Sequence, residues 1–367
     1  MIVYAPDHRK QEVINLWKTA FPADSEAFVA FYFERKYLKK NTLLYLKNEK
    51  TASCLQMLPY EMTYYEHVIR TSYISGAATL PEYRNQGLMG NLLLRAFVEM
   101  KKRKHVLTTL IPQEPWLTDF YKKFGYTPCF EQELTAVNAN DYPHFPDRMR
   151  FKALELADFK NAYNFYKNYF AKQNLCIQKS FSDFSVMVAA CQLFEGDVYL
   201  LINKGETVGL CFCFFADGKV VLKDCITRDA DYEQYFFSKL TRKFGNQAIF
   251  LCSPKSSPSL IPSKEGNSSP AGAMARILDA PKLLTLFAQA QPQLQFSIKI
   301  ADPCIWENNC TFAVSNGKIT KIASQTVDFE VSIEELTQLL LGYQMALSGD
   351  KYTIFPLQHP YMSLMLE

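Results

Sequence analysis

Three strand-like stretches follow one another with no helix between them: TLLYLKNE from residue 42, ASCLQMLPYEMTYY from residue 52 and HVIRTSYISGAATL from residue 67. Asn48-Glu49 and Glu66-His67 fit the turns between them, so the segment predicts an antiparallel meander. YRNQGLMG then opens an amphipathic helix over 87–104, and VLTTLI at 106–111 is a buried strand. A strand, a helix and a second strand in that order form a parallel crossover. An antiparallel meander with one parallel crossover is a mixed α/β arrangement of the α+β class.

The flanking segments extend this unit. Residues 2–4 read as a strand. Residues 7–21 read as a helix carrying Val13, Ile14, Trp17, Ala20 and Phe21 on one face, and 25–38 as a helix capped by Ser25. WLTDFYKKF at 116–124 is a short helix ended by Gly125. The unit spans residues 1–138. A second unit, 139–284, loosely repeats the order with a helix over 154–171, a meander over 197–228, the helix YEQYFFSKLTRKFG and the strand QAIFLCS. Where the first unit has its glycine turn, the second has ITRDADYEQYFFSKL. Residues 253–272 are rich in Ser and Pro and read as an exposed loop, and 273–287 as helical. A third unit, 285–367, carries strands and one amphipathic helix.

Composition narrows the partners. Of 367 residues, 48% are hydrophobic and 21% charged, and the net charge is +3. That balance argues against nucleic acid as a partner. The longest apolar runs, such as VGLCFCFFA at 208–216, fall far short of the roughly 20 residues of a membrane span. The start, MIVYAPDHRK, turns polar at once, and a cytoplasmic protein with no membrane partner is the expectation. Ten cysteines include no CxxC pair, and five histidines include no HxxxH pair, so no metal is expected.

The glycine turn carries the chemistry. A helix N-terminus exposes unpaired N–H groups and about half a positive charge. Gly87 permits close backbone approach and Arg84 adds a permanent cation. Such a corner suits a phosphate or pyrophosphate, and an ordinary helix start is the alternative.

RNQGLMG resembles the acyl-CoA pyrophosphate loop of the GNAT N-acetyltransferases, R/Q-x-x-G-x-G/A, with Arg84 and Gly87 matching and Met89 where Gly or Ala is usual. R-x-x-G-L before a bulky residue resembles the Eis-type branch. FYKKFGYTPCFEQEL at 120–134 resembles that branch's Y-x-x-F-G-Y segment. AMARILDAPKLL and DFEVSIEELTQLLLGY resemble its C-terminal segments. The resemblance implies tandem GNAT-like domains, the first catalytic (1–138) and the second degenerate (139–284), followed by a sterol-carrier-protein-like domain (285–367).

It further implies acetyl-CoA as co-substrate and a primary amine as acceptor, such as an aminoglycoside or polyamine, attacking the thioester directly. Ala77, Ala78, Thr79 and Leu80 would hold the pantetheine, with a free N–H near Leu80 toward the thioester carbonyl. Arg84 and the amides of Asn85, Gln86, Gly87, Leu88, Met89 and Gly90 would hold the pyrophosphate. Tyr121 would be the general acid. The base in this branch is the C-terminal carboxylate, here that of Glu367. The chain ends Met365-Leu366-Glu367 where the branch tends to end in an aromatic residue, so water and Glu114 stand as alternatives. Asp24 and Glu26 fall where the branch lines its acceptor pocket. The branch forms homo-oligomers, among them hexamers. A protein lysine acetyltransferase and a non-catalytic apolar-ligand carrier or scaffold are the competing readings.

Overall fold

The computed structural model describes residues 1–216, 218–245, 247–254, 272–324, 326–343 and 350–365. The chain opens with β1 (Ile2–Tyr4), α1 (Lys10–Ala20) and α2 (Glu26–Arg35), the last capped by Ser25 Oγ on the Phe28 amide. The expected meander follows as β2 (Thr42–Lys47), β3 (Lys50–Tyr64) and β4 (His67–Thr79), then α3 (Leu88–Lys102), β5 (Leu107–Leu110), α4 (Leu117–Lys122) and β6 (Thr127–Phe130). Strands β1 to β4 pair antiparallel in chain order, and β4 runs parallel to β5. Leu92, Leu93, Ala96, Phe97 and Met100 give α3 its buried face against this sheet.

A second sheet is built from β7 (Gln132–Val137), β8 (Arg150–Ala153), β10 (Asp197–Asn203), β11 (Glu206–Ala216), β12 (Lys219–Thr227) and β13 (Ala248–Pro254). Between these lie α5 (Phe159–Phe170), β9 (Ile177–Gln178), α6 (Phe181–Leu193) and α7 (Ala230–Phe244), with β9 pairing β3 of the first sheet. The order β8-β10-β11-β12-β13, antiparallel except for the parallel β12/β13 pair, repeats β1-β2-β3-β4-β5. The sequence reading missed α6. The helix buries Phe184, Val186, Met187, Val188, Ala190 and Cys191, on more than one face, so no amphipathic period marks it.

The chain then forms β14 (Ala273–Ile277), α8 (Ala280–Ala290), β15 (Phe296–Ala301), β16 (Thr311–Ser315), β17 (Lys318–Lys321), β18 (Phe329–Ser332) and α9 (Ile333–Leu340). The last four strands make a sheet of order β17-β16-β15-β18. Residues 273–277, expected to be helical and counted with the second unit, are a strand of the first sheet. β14 lies between β5 and β6, with Met274 opposite Leu110 and Ile277 opposite Leu107. The unpaired edges of β5 and β6 outweigh the helical preference of Ala-Met-Ala. Helix begins only at Ala280, where Asp279 caps the Lys282 amide.

β14 also joins the third sheet to the first. Arg276 is fully buried, and its two Nη atoms donate to Asp302, just beyond β15, at 2.9–3.2 Å. Its guanidinium lies 4.5 Å from the centroid of Phe97 on α3. Asp302 also accepts the amides of Cys304 and Ile305. A buried pair joined through both Nη atoms fixes how its two elements meet, although the buried Arg276 Nε has no hydrogen-bond partner among the described residues.

Candidate active site

β4 is longer than the strand beside it. β5 meets it only at Thr71–Tyr73, opposite Leu107–Thr109, while β4 runs on to Thr79 with β3 along its other edge. From Ile74 to Thr79, one edge of β4 faces no strand among the described residues. An extended ligand can hydrogen-bond along such an edge as an added strand does.

A bend is built into this edge. The β3/β4 register shifts between Cys54 and Gln56, which face Ala78 and Ser75, and so leaves Gly76 and Ala77 as the bulged pair. Gly76 has φ +56°, and a Cβ on it would sit 2.4 Å from Trp17 Cζ3. Only glycine fits there. Trp17 donates its indole N–H to Asp24 at 2.7 Å, and the Tyr32 and Ser75 hydroxyls share a 2.8 Å hydrogen bond. Asp24 thus reaches the bend through Trp17. Glu26 is exposed and ion-paired with Lys18. Each of the two acids expected to draw in a polyamine therefore already holds a donor.

The free N–H expected near Leu80 is not that of Leu80 itself, whose amide donates to Ala52 O at 3.0 Å. Hydrogen-bonded and non-hydrogen-bonded pairs alternate along antiparallel strands, so the Thr79 amide faces the open edge instead. The Thr79 carbonyl accepts Arg84 Nε at 3.2 Å.

Beyond β4 the chain makes one turn over Pro81–Tyr83, takes φ +60° at Asn85 and reaches Gly87 at φ +73°, the cap of α3. A Cβ at Gly87 would touch nothing within 4 Å, so the glycine serves backbone conformation and leaves open space. Gly90 is different, because its Cβ would lie 2.8 Å from the Phe124 ring, and that glycine lets α3 settle on α4's end. No side chain caps α3 and no acid lies in its first turn. The first amide to reach a helical carbonyl is Asn91's, on Gly87 O, so those of Leu88, Met89 and Gly90 precede the ladder.

Tyr121 is buried in the cluster formed by Ile74 of β4, Leu92 of α3 and Leu110 of β5, with Ala77 and Met89 packed against it. Its ring meets Phe120 and Tyr126 edge-on at 5.2 and 5.8 Å. Burial pushes its phenol up to about 12. Residues of the open edge, of the first turn of α3 and Tyr121 thus border one apolar cluster. Glu114 is exposed on the β5–α4 connection, and Glu367 lies outside the described residues. Among the described residues no cluster of His, Cys, Asp and Glu is set up to hold a metal, and no helix is long and apolar enough to cross a membrane. Sequence reasoning missed Gly76 and its partner Trp17, although an isolated glycine inside a strand pattern is a signal for a bulge.

Residues 2–129 match the acetyltransferase (GNAT) domain family, and residues 280–348 the sterol carrier protein domain family. Residues 2–129 thus form an acetyltransferase domain of the GNAT type. The fold of the chain is similar to whole solved chains. A conserved protein of Enterococcus faecalis V583, described as a probable N-acyltransferase, is similar over 98% of this chain and 97% of its own, with a TM-score of 0.75 and 18% identity. A GCN5-related N-acetyltransferase of Anabaena variabilis has a TM-score of 0.73 at 17% identity, over 92% and 89% of the two chains. Eis1 of Mycobacterium abscessus has 0.71 at 13% identity, over 93% and 90%. An S-alkylcysteine N-acetyltransferase of Bacillus subtilis is 41% identical over 63 residues, which cover 15% of this chain and 34% of that protein. The match thus spans about a third of that curated relative.

Proposed function

We propose that the chain transfers the acetyl group of acetyl-CoA to the primary amine of a small molecule by direct attack. One observation carries the reading: the open edge of β4 leads, through the Leu80–Gly87 connection, to a helix end that has neither a side-chain cap nor an acid in its first turn. An extended pantetheine arm fits the first feature and its pyrophosphate the second. Ala77 and Thr79 would bind the arm. Ala78 and Leu80 would bind it less, because the Leu80 amide and the Ala78 carbonyl already bond to β3 residues. Arg84, Asn85 and Gln86 together with the amides of Gly87 to Gly90 would hold the diphosphate.

The amine nitrogen then attacks the thioester carbonyl, the C–S bond breaks and the departing thiolate takes a proton. Tyr121 is the donor in this reading. A phenol held near 12 is fully protonated at neutral pH and can donate a hydrogen bond to the departing sulfur; it is a weaker acid than a thiol near 8.5, so full transfer relies on the same burial raising the proton affinity of the thiolate. The proton lost by the amine goes to water, to Glu114, or to the terminal carboxylate of Glu367 that the resemblance implies.

Calorimetry with acetyl-CoA tests the site. Arg84→Ala should weaken binding by roughly 1.5–3 kcal/mol with the fold unchanged by circular dichroism, since Arg84 is exposed and, among the described residues, its Nε bonds the Thr79 carbonyl. Undiminished affinity would move the diphosphate elsewhere. A panel of amines followed by free-thiol release would identify the acceptor.

A further inference from the structure

Lys47 stands beside the pyrophosphate loop but belongs to none of its motif. It is the last residue of β2, opposite Lys50, and the turn between them, Asn48-Glu49, has φ of 48° and 61°. Two successive left-handed residues close a tight hairpin. The hairpin end is thereby held against the loop that follows β4, since Ser53 of β3 faces Thr79.

The half-buried Lys47 side chain crosses to that loop. Its ammonium donates to Gln86 Oε1 and lies 5.5 Å from the centroid of the Tyr83 ring. Gln86 is itself pinned, because its Nε2 donates to Glu82 O at 3.0 Å. The ammonium is therefore fixed next to Gly87 and the uncapped end of α3. Lys36, Lys152 and Lys239 each hold a carboxylate. The partners of Lys47 among the described residues are an amide oxygen and a ring face. Glu49 on the hairpin turn and Glu82 on the loop are the neighbouring acids in sequence, and neither forms an ion pair with it among the described residues. Arg84, by contrast, has turned its Nε back onto the Thr79 carbonyl. A cation without an anion, placed at the positive end of a helix, raises the local potential and favours an incoming anion.

We propose that Lys47 is a phosphate ligand of the coenzyme, supplied from the β2/β3 hairpin and aimed by Gln86. This rests on the acetyl-CoA reading above. The phosphate is either part of the diphosphate or the 3′-phosphate of the adenosine end, and the chemistry of recognition is the same for both.

The experiment is calorimetry of the full chain with acetyl-CoA, acetyl-dephospho-CoA and acetyl-pantetheine, for the natural protein, Lys47→Ala and Lys47→Arg. Lys47→Ala should weaken acetyl-CoA roughly tenfold to a hundredfold, the value of a charge-assisted hydrogen bond. It should also flatten the salt dependence and leave acetyl-pantetheine unchanged, and Lys47→Arg should restore most of the loss. An equal loss on acetyl-dephospho-CoA assigns the diphosphate, and no loss on it assigns the 3′-phosphate. The proposal is overturned if Lys47→Ala binds acetyl-CoA within about twofold of the natural protein. It is also overturned if acetyl-pantetheine loses as much as acetyl-CoA, which would mark a structural role. Failure of the natural protein to bind acetyl-CoA would overturn the acetyltransferase reading itself.

Discussion

Two corners of the molecule share a topology and differ in charge. In the first sheet β4 leads to α3, and in the second β12 leads to α7. Each of these strands runs parallel to the one that follows its helix, β5 and β13. At the first corner eight residues separate strand and helix, from Leu80 to Gly87, with two of them left-handed and no cap. At the second only Arg228 and Asp229 intervene. Asp229 accepts the amides of Asp231 and Tyr232 at 3.1 and 3.2 Å, and Asp231 and Glu233 add further acids to the first turn. Arg228, the counterpart cation, is tied to Glu206. The second helix end thus carries its own anion, whereas the first is left without one. Strand order alone does not make an anion site; the helix end must also be unfilled.

The sharpest test of what the first corner does is at Tyr121. Tyr121→Phe keeps the ring contacts to Phe120 and Tyr126 and removes the proton. Turnover should fall roughly 10²–10⁴-fold while calorimetry shows acetyl-CoA affinity unchanged. The natural phenol, near 12, should place no alkaline limb on the pH profile between pH 7 and 10, because it stays protonated throughout. Near-normal turnover in the variant, measured under conditions where chemistry limits the rate, would remove Tyr121 from the mechanism.

The next test makes the first corner resemble the second. Gly87→Asp places a carboxylate at the cap of α3. Aspartate tolerates φ +73° better than most residues, and its Cβ would meet nothing within 4 Å. The helix should therefore keep its stability, with the new carboxylate taking the amides meant for a diphosphate. Acetyl-CoA affinity should drop on the order of a hundredfold, since a charged contact is lost and a repulsion gained. Unchanged affinity would mean that the uncapped end is an accident of the loop.

How much of this was readable beforehand differs by region. The first corner was, because Gly87 and the apolar period of 88–102 are local signals. Gly87 owes its identity to its own φ, and the buried stripe of α3 follows directly from spacing. The edge of β4 was readable as a strand but not in its hydrogen bonding. Whether the amide of Leu80 is free depends on Ala52, which lies 28 residues away in sequence and pairs with it only through the β3/β4 register. Lys47 posed the same difficulty, since only the hairpin turn brings it beside Gln86. Strand β14 shows the opposite failure. Its local preference is helical, and a vacancy between β5 and β6 decides otherwise. The charges at Asp24 and Glu26 were legible as acids, but their partners Trp17 and Lys18 were not.

The smallest expected effect comes from loosening the second corner. Asp229→Ala removes the acceptor for the Asp231 and Tyr232 amides, and typical caps of this kind are worth about 1 kcal/mol. The melting temperature should fall by only a few degrees. Acetyl-CoA binding should not change in affinity or in stoichiometry, which should remain a single molecule per chain. The reason is geometric as well as electrostatic. With the cap removed, Asp231 and Glu233 still lie in the first turn, Arg228 is still held by Glu206, and two residues are too few to reproduce the left-handed loop that exposes the amides of α3. Appearance of a second acetyl-CoA site in this variant would show that Asp229 alone keeps the second corner closed, and the contrast between the corners would then reduce to one carboxylate.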